Sequence, residues 1–171
     1  MLTSPLEHAV STTLVDTGPL VGLFLERDLF HPAALDYFRE ATGPLATTWA
    51  VVSEMLHLIG RYSHAIELDA MRWLDQSPLT IYDMNPETFT LSTAMMVRYA
   101  DRPMDFADAT LVVAAMQTGI REIATIDSDF DFYRLQDRTR LKNVFAPYAS
   151  ARARQIARAN SIPTVTKPKK K

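Results

Sequence analysis

A run of apolar and β-branched residues that stops on an aspartate occurs twice in this chain. It is Thr12-Thr13-Leu14-Val15-Asp16 near the start and Ile123-Ala124-Thr125-Ile126-Asp127 more than a hundred residues later. Each reads as a short buried strand, and the stretches between carry helical patterns, so the strands must be joined by crossovers and lie parallel. In an open parallel α/β sheet, ligands sit outside the carboxyl ends of the strands. Two acids placed there would meet across the sheet. Carboxylates at close range repel one another, and a divalent cation is the simplest thing that stabilises them.

The intervening segments alternate in the same way. Thr17 can cap a helix with Pro19 in its first turn, and a second helix starts near Pro32 and ends before Gly43-Pro44. Leu45 to Thr48 is a strand candidate, followed by a helix from Trp49 to about Arg61 with apolar residues at 49, 52, 56 and 59. Further helices are predicted over His64 to Gln76 and Pro86 to Tyr99, with the strand Leu79 to Tyr82 between them. Pro103 opens the next helix, which Gly119 closes, and Lys142 to Phe145 is a last edge strand. The expected fold is a three-layer α/β/α domain with a mainly parallel central sheet, without repeats or interdomain linker.

Composition bounds the function. At 171 residues with 47% hydrophobic and 22% charged residues, the chain can build one substantial core. Its longest apolar run, Leu111 to Met116, is too short to span a bilayer, and Glu7 and His8 stand where a secretory signal would need a basic start and an apolar stretch. A cytoplasmic protein without membrane contact is expected. The absence of cysteine excludes disulfides, thiolate catalysis and cysteine-based metal sites.

The net charge of -2 hides a division: all 20 acids lie at or before Asp137, while 10 of the 18 Lys and Arg lie after it. The domain is expected over residues 1–148, with a basic extension over 149–171 whose end, from Asn160, reads as disordered. That tail either solubilises the chain or meets a polyanion such as RNA.

Among the other acids, Asp108 is the most diagnostic. At 100° per residue it shares a stripe with Met104, Leu111, Val112 and Ala115, and an ionised carboxylate on an apolar face needs a cation or several donors. The alternative is capping, with Asp105 as the N-cap and Asp108 three residues on. Asp105, about 60° off the stripe, either joins a shared site or only caps. Glu54 lies at the margin of its helix's apolar stripe, where a solvated role competes with a functional one. Asp16 and Asp127 could be strand-end turn formers, Asp127 through the cluster Asp127-Ser128-Asp129.

Taken together, Leu14-Val15-Asp16-Thr17-Gly18-Pro19-Leu20, Thr47-Thr48 leading to Ser53-Glu54, Asp105-Phe106-Ala107-Asp108-Ala109, and Thr125-Ile126-Asp127 followed by Asp129-Phe130 resemble the PIN-domain ribonucleases. Within that family the likeness is to the VapC-type toxins of toxin–antitoxin pairs, and it covers roughly Thr12 to Phe145. The resemblance implies that Asp16, Glu54 and Asp108 match three acids of a metal site and Asp127 a fourth. It further implies that Asp105 is an additional acid and that Thr125 lines the site. The implied activity is Mg²⁺- or Mn²⁺-dependent endonucleolytic cleavage of RNA. Oxygen-only ligands suit such hard cations. A homodimer and an inhibitory antitoxin partner are implied as well. The alternative from another class is a non-catalytic PIN-like protein-interaction module.

Other chemistries fit less well. A haloacid-dehalogenase-like phosphatase needs a second aspartate two residues after Asp16, where Gly18 stands, and the glycines at 18 and 22 enclose no lysine for a phosphate-cradling loop. A phospho-accepting receiver domain would leave Asp108 and Glu54 without a role. His8, His31, His57 and His64 form no His-Glu-x-x-His pattern. Trp49 and Trp73 are read as core, and Tyr133 as a candidate for stacking on a base.

Overall fold

A computed structural model describes residues 11–102 and 104–160, with side chains to residue 155. Five strands form one parallel sheet: β1 Thr13–Val15, β2 Leu45–Thr48, β3 Thr80–Tyr82, β4 Glu122–Ala124 and β5 Lys142–Asn143, in the order β3-β2-β1-β4-β5. The chain steps outward from β1 through β2 to β3, then returns to pair β4 on the other side of β1, with Leu14 opposite Ile123 and Val15 opposite Ala124. That reversal opens a crevice at the carboxyl ends of β1 and β4, the point at which α/β sheets bind ligands.

The helices are α1 Thr17–Phe24, α2 His31–Glu40, α3 Trp49–Tyr62, α4 His64–Gln76, α5 Pro86–Arg98, α6 Phe106–Thr118 and α7 Ala146–Asn160. Successive strand residues face opposite sides, yet Leu14 and Val15, Ala46 and Thr47, and Ile123 and Ala124 are all completely buried. Both sheet faces are therefore covered, giving the expected three-layer arrangement.

The structure departs from the sequence reading at several points. Asp16, not Thr17, caps α1, its Oδ1 accepting from Thr17 N at 2.6 Å. Helix α6 starts at Phe106 behind the Asp105 cap, and Pro103 lies outside the described residues. Every residue from Ala107 to Ala115 is buried, so this helix has no solvent stripe and its periodicity could not single out Asp108. In α3 the buried residues are Val51, Val52, Met55 and Ile59; Trp49 is half exposed, its Nε1 donating to Asp83 Oδ1 at 2.9 Å. Trp73 does pack inward, edge-on to Phe24 at 5.6 Å and to Phe38 at 6.2 Å.

The boundary expected at 148 falls inside α7. Phe145, fully buried, and Tyr148 lie against Tyr37 of α2 at ring separations of 5.6 and 5.5 Å. The tail from 161 lies outside the described residues. Among the described residues no helix is long and apolar enough to cross a membrane.

Candidate active site at the sheet switch point

Asp16 leaves the end of β1 buried, with both carboxylate oxygens engaged. Oδ1 accepts from Thr17 N and Oδ2 accepts from Thr125 Oγ1, each at 2.6 Å. Thr125 Oγ1 in turn accepts from Asp127 N at 2.9 Å, so this one hydroxyl ties the ends of β1 and β4 together. The strand stops there because its next groups find other partners. Asn143 Nδ2 donates to Thr125 O at 3.0 Å, and Asp127 Oδ1 accepts from Asp129 N at 2.8 Å, capping a short 3₁₀ turn over Ser128–Asp131. Ile126 of this loop lies on the first turn of α1, where a Cβ on Gly18 would come within 2.5 Å of it.

Asp108 enters from α6 and is as buried as Asp16. The cap and site readings of its segment prove compatible: Asp105 Oδ1 accepts from Asp108 N at 2.8 Å, while the Asp108 side chain points inward and accepts from Tyr133 Oη at 3.2 Å. Tyr133 is thus a buried donor to an acid, not an exposed stacking platform. Glu54, on α3 and half-buried, is held by Thr17 Oγ1, which donates to its Oε2 at 2.6 Å.

The aspartates act on one another's protonation. Burial, then the charges of Asp16, Asp105 and Asp127, push the Asp108 carboxyl up to about 8. Burial also raises Asp16, to about 6, against the hydrogen bonds from Thr125 and Thr17 and with help from Asp105 and Asp127. None of Asp16, Glu54, Asp105, Asp108 and Asp127 takes part in a salt bridge among the described residues.

The donor chemistry fits a hard divalent cation, since these are carboxylates that repel without a counter-ion. Among the described residues no group of three or more His, Asp or Glu side chains is arranged to hold an ion as it stands. Sequence reasoning missed the roles of Thr17 and Tyr133. A threonine directly after the first acid was the available signal for Thr17; nothing in the sequence marks Tyr133 as a partner of Asp108.

No protein-family model and no curated protein sequence matches the chain. Solved structures do. VapC20 of Mycobacterium tuberculosis, a sarcin–ricin loop cleaving toxin, superposes with a TM-score of 0.67 at 22% identity, over 71% of this chain and 94% of its own. The chain has the PIN-like fold of VapC proteins. A toxin–antitoxin complex from Klebsiella pneumoniae matches with a TM-score of 0.55 at 18% identity, covering 77% of this chain and 99% of its own. VapBC2 from Rickettsia felis, bound to a DNA fragment from its promoter, gives 0.53 at 11%, covering 71% and 92%.

Proposed function

We propose that this protein is a metal-dependent endoribonuclease that hydrolyses RNA phosphodiester bonds as the toxin of a toxin–antitoxin pair. The observation that carries the reading is the meeting of Asp16 and Asp108, two buried carboxylates from separate elements that repel each other and have no cationic partner among the described residues. Such an arrangement is unfavourable for folding alone and favourable for binding a cation. The fold shared with a sarcin–ricin loop cleaving toxin and with a toxin–antitoxin complex supports the same reading.

Asp16, Glu54, Asp108 and Asp127 would hold Mg²⁺ or Mn²⁺, with Asp105 as an additional acid. When bound, the metal supplies an activated water and neutralises charge developing on the phosphodiester. The protein's part is to aim the ligands: Thr125 orients Asp16, Thr17 orients Glu54, and Tyr133 orients Asp108. These bonds fix oxygens before metal arrives. In the same reading a cognate antitoxin masks the site, and the toxin works as a homodimer in the cytoplasm.

The second reading is a non-catalytic PIN-like interaction module, in which the acids hold no ion. One experiment separates them. Purified protein is incubated with total RNA and Mn²⁺ or Mg²⁺, then with EDTA, then with metal restored. Cleavage that stops in EDTA and returns with metal, and that is lost in Asp108→Asn, is the expected outcome. Normal cleavage by Asp108→Asn would mean that the reaction does not need the charge of this carboxylate. No cleavage under any metal would favour the interaction module.

A further inference from the structure

On one flank of the acids the surface opens into a groove of about 580 Å³ lined by Trp49, Ser53, Glu54, His57, Asp105 and Phe106, with Met84 also contributing. Its size is that of a small-ligand site. Three features mark its use. Two of its lining residues, Glu54 and Asp105, belong to the candidate active site, so the groove is continuous with the place where a phosphodiester would be held. Its aromatic wall is fixed and open: Trp49 is 50% exposed, yet its Nε1 is anchored on Asp83. Phe106, at the start of α6, lines the same groove and lies against Phe89 with ring centroids 5.9 Å apart. Ser53 and His57, both exposed on α3, can offer hydrogen bonds to a ligand edge.

We infer that this groove binds a nucleobase of the RNA strand, stacked on Trp49, belonging to a nucleotide next to the bond that is cut. The inference rests on the nuclease reading and adds the subsite that holds the strand in place. An aromatic face takes a base without regard to sequence, and the anchored indole has little side-chain freedom left to lose on binding. A base is favoured over an apolar protein segment because this groove runs into the acids at which the phosphodiester would be held. A larger, more apolar groove of about 820 Å³, also lined by Trp49, lies between α3 and α4; its lining includes Arg72 and Asp75 but neither Glu54 nor Asp105, so it does not run into the candidate site. The acid-side groove suits a ligand whose phosphate is delivered to the metal site and whose base carries polar edges.

The test uses full-length protein in EDTA, where cleavage is suppressed, with dye-labelled single-stranded RNA of 12 nucleotides and random sequence, and a ribose-phosphate strand of the same length without bases. Anisotropy reads affinity. The wild type should bind the base-bearing strand more tightly than the baseless one, and Trp49→Ala should lose about ten-fold in affinity for the first and little for the second. Trp49→Phe, which keeps a stacking face but loses the bond to Asp83, should recover most of the loss; thermal unfolding checks that all three are folded. With Mn²⁺, Trp49→Ala should raise KM more than it lowers kcat. Equal loss on both strands, or no loss on either, would overturn the subsite while wild-type cleavage left the nuclease reading intact. Binding of a partner protein at Trp49 with no response to RNA would also overturn it. Absence of metal-dependent cleavage in the wild type would instead remove the nuclease reading itself.

Discussion

The residue that defines the site is also the one least at ease in the metal-free fold. Asp108 is held up at about 8 by burial and by its acidic neighbours, and Asp16 at about 6 by burial. Both carboxyls therefore bind protons more tightly folded than unfolded. Their contribution to stability is full below the ordinary carboxylate range and is lost as pH rises, through about 6 for Asp16 and about 8 for Asp108. Metal-free protein should accordingly melt at lower temperature at pH 9 than at pH 5. Asp108→Asn should flatten the upper part of that decline, and a wild-type melting temperature that rises from pH 5 to 9 in EDTA would contradict the assignment. Thr17 makes a separate point, because its hydroxyl holds Glu54 while its backbone NH holds Asp16. Thr17→Val should leave stability within about 1 kcal/mol and reduce cleavage several-fold, with Thr17→Ser restoring it. Unchanged cleavage by the valine variant would show that Glu54 needs no such support.

Among the elements, most boundaries were legible because the chain marks them with strong local chemistry. Pro86 opens α5 behind the Asn85 cap, Ser63 separates α3 from α4 by capping the latter, and Gly119 ends α6 in the left-handed region at φ 77°. The failures have equally local causes. The sequence pattern of a strand runs through Asp127, but Thr125 and Asn143 turn side chains onto the backbone where the ladder would continue. Helix α7 escaped notice because its sequence is arginine-rich and weakly apolar overall, so that it reads as a basic extension; Phe145 just before it and Tyr148 within it pack against Tyr37. Tyr148 stacks on Phe145 at 6.1 Å and donates to Glu40 Oε2 at 2.8 Å. Truncating this half-buried ring by Tyr148→Ala should cost about 2 kcal/mol, measured by denaturant unfolding. A change below about 0.5 kcal/mol would mean that α7 is an appendage and not part of the folded unit.

At the scale of the molecule, the strand order decides where the chemistry lies. Two acids far apart in sequence come to neighbouring strand ends because β4 returns to pair with β1; the sequence suggested a mainly parallel sheet with both acids at strand ends, but not the strand order. The four acids could be nominated from sequence, but their bonding could not. Thr17, Tyr133 and Thr125 act across 37, 25 and 109 residues, separations that no local pattern encodes. On the proposed nuclease reading the charge division adds a constraint: a body carrying all 20 acids would have to recruit RNA through cations. A metal at the switch point would be the cation closest to the chemistry. The most direct test is calorimetric titration of Mn²⁺ into metal-free protein at neutral pH, comparing wild type with Asp16→Asn and Asp108→Asn. The expected result is saturable binding by the wild type that either substitution weakens at least ten-fold while both variants remain folded. Wild-type protein that binds no Mn²⁺, or variants that bind it undiminished, would contradict a metal site built on these aspartates.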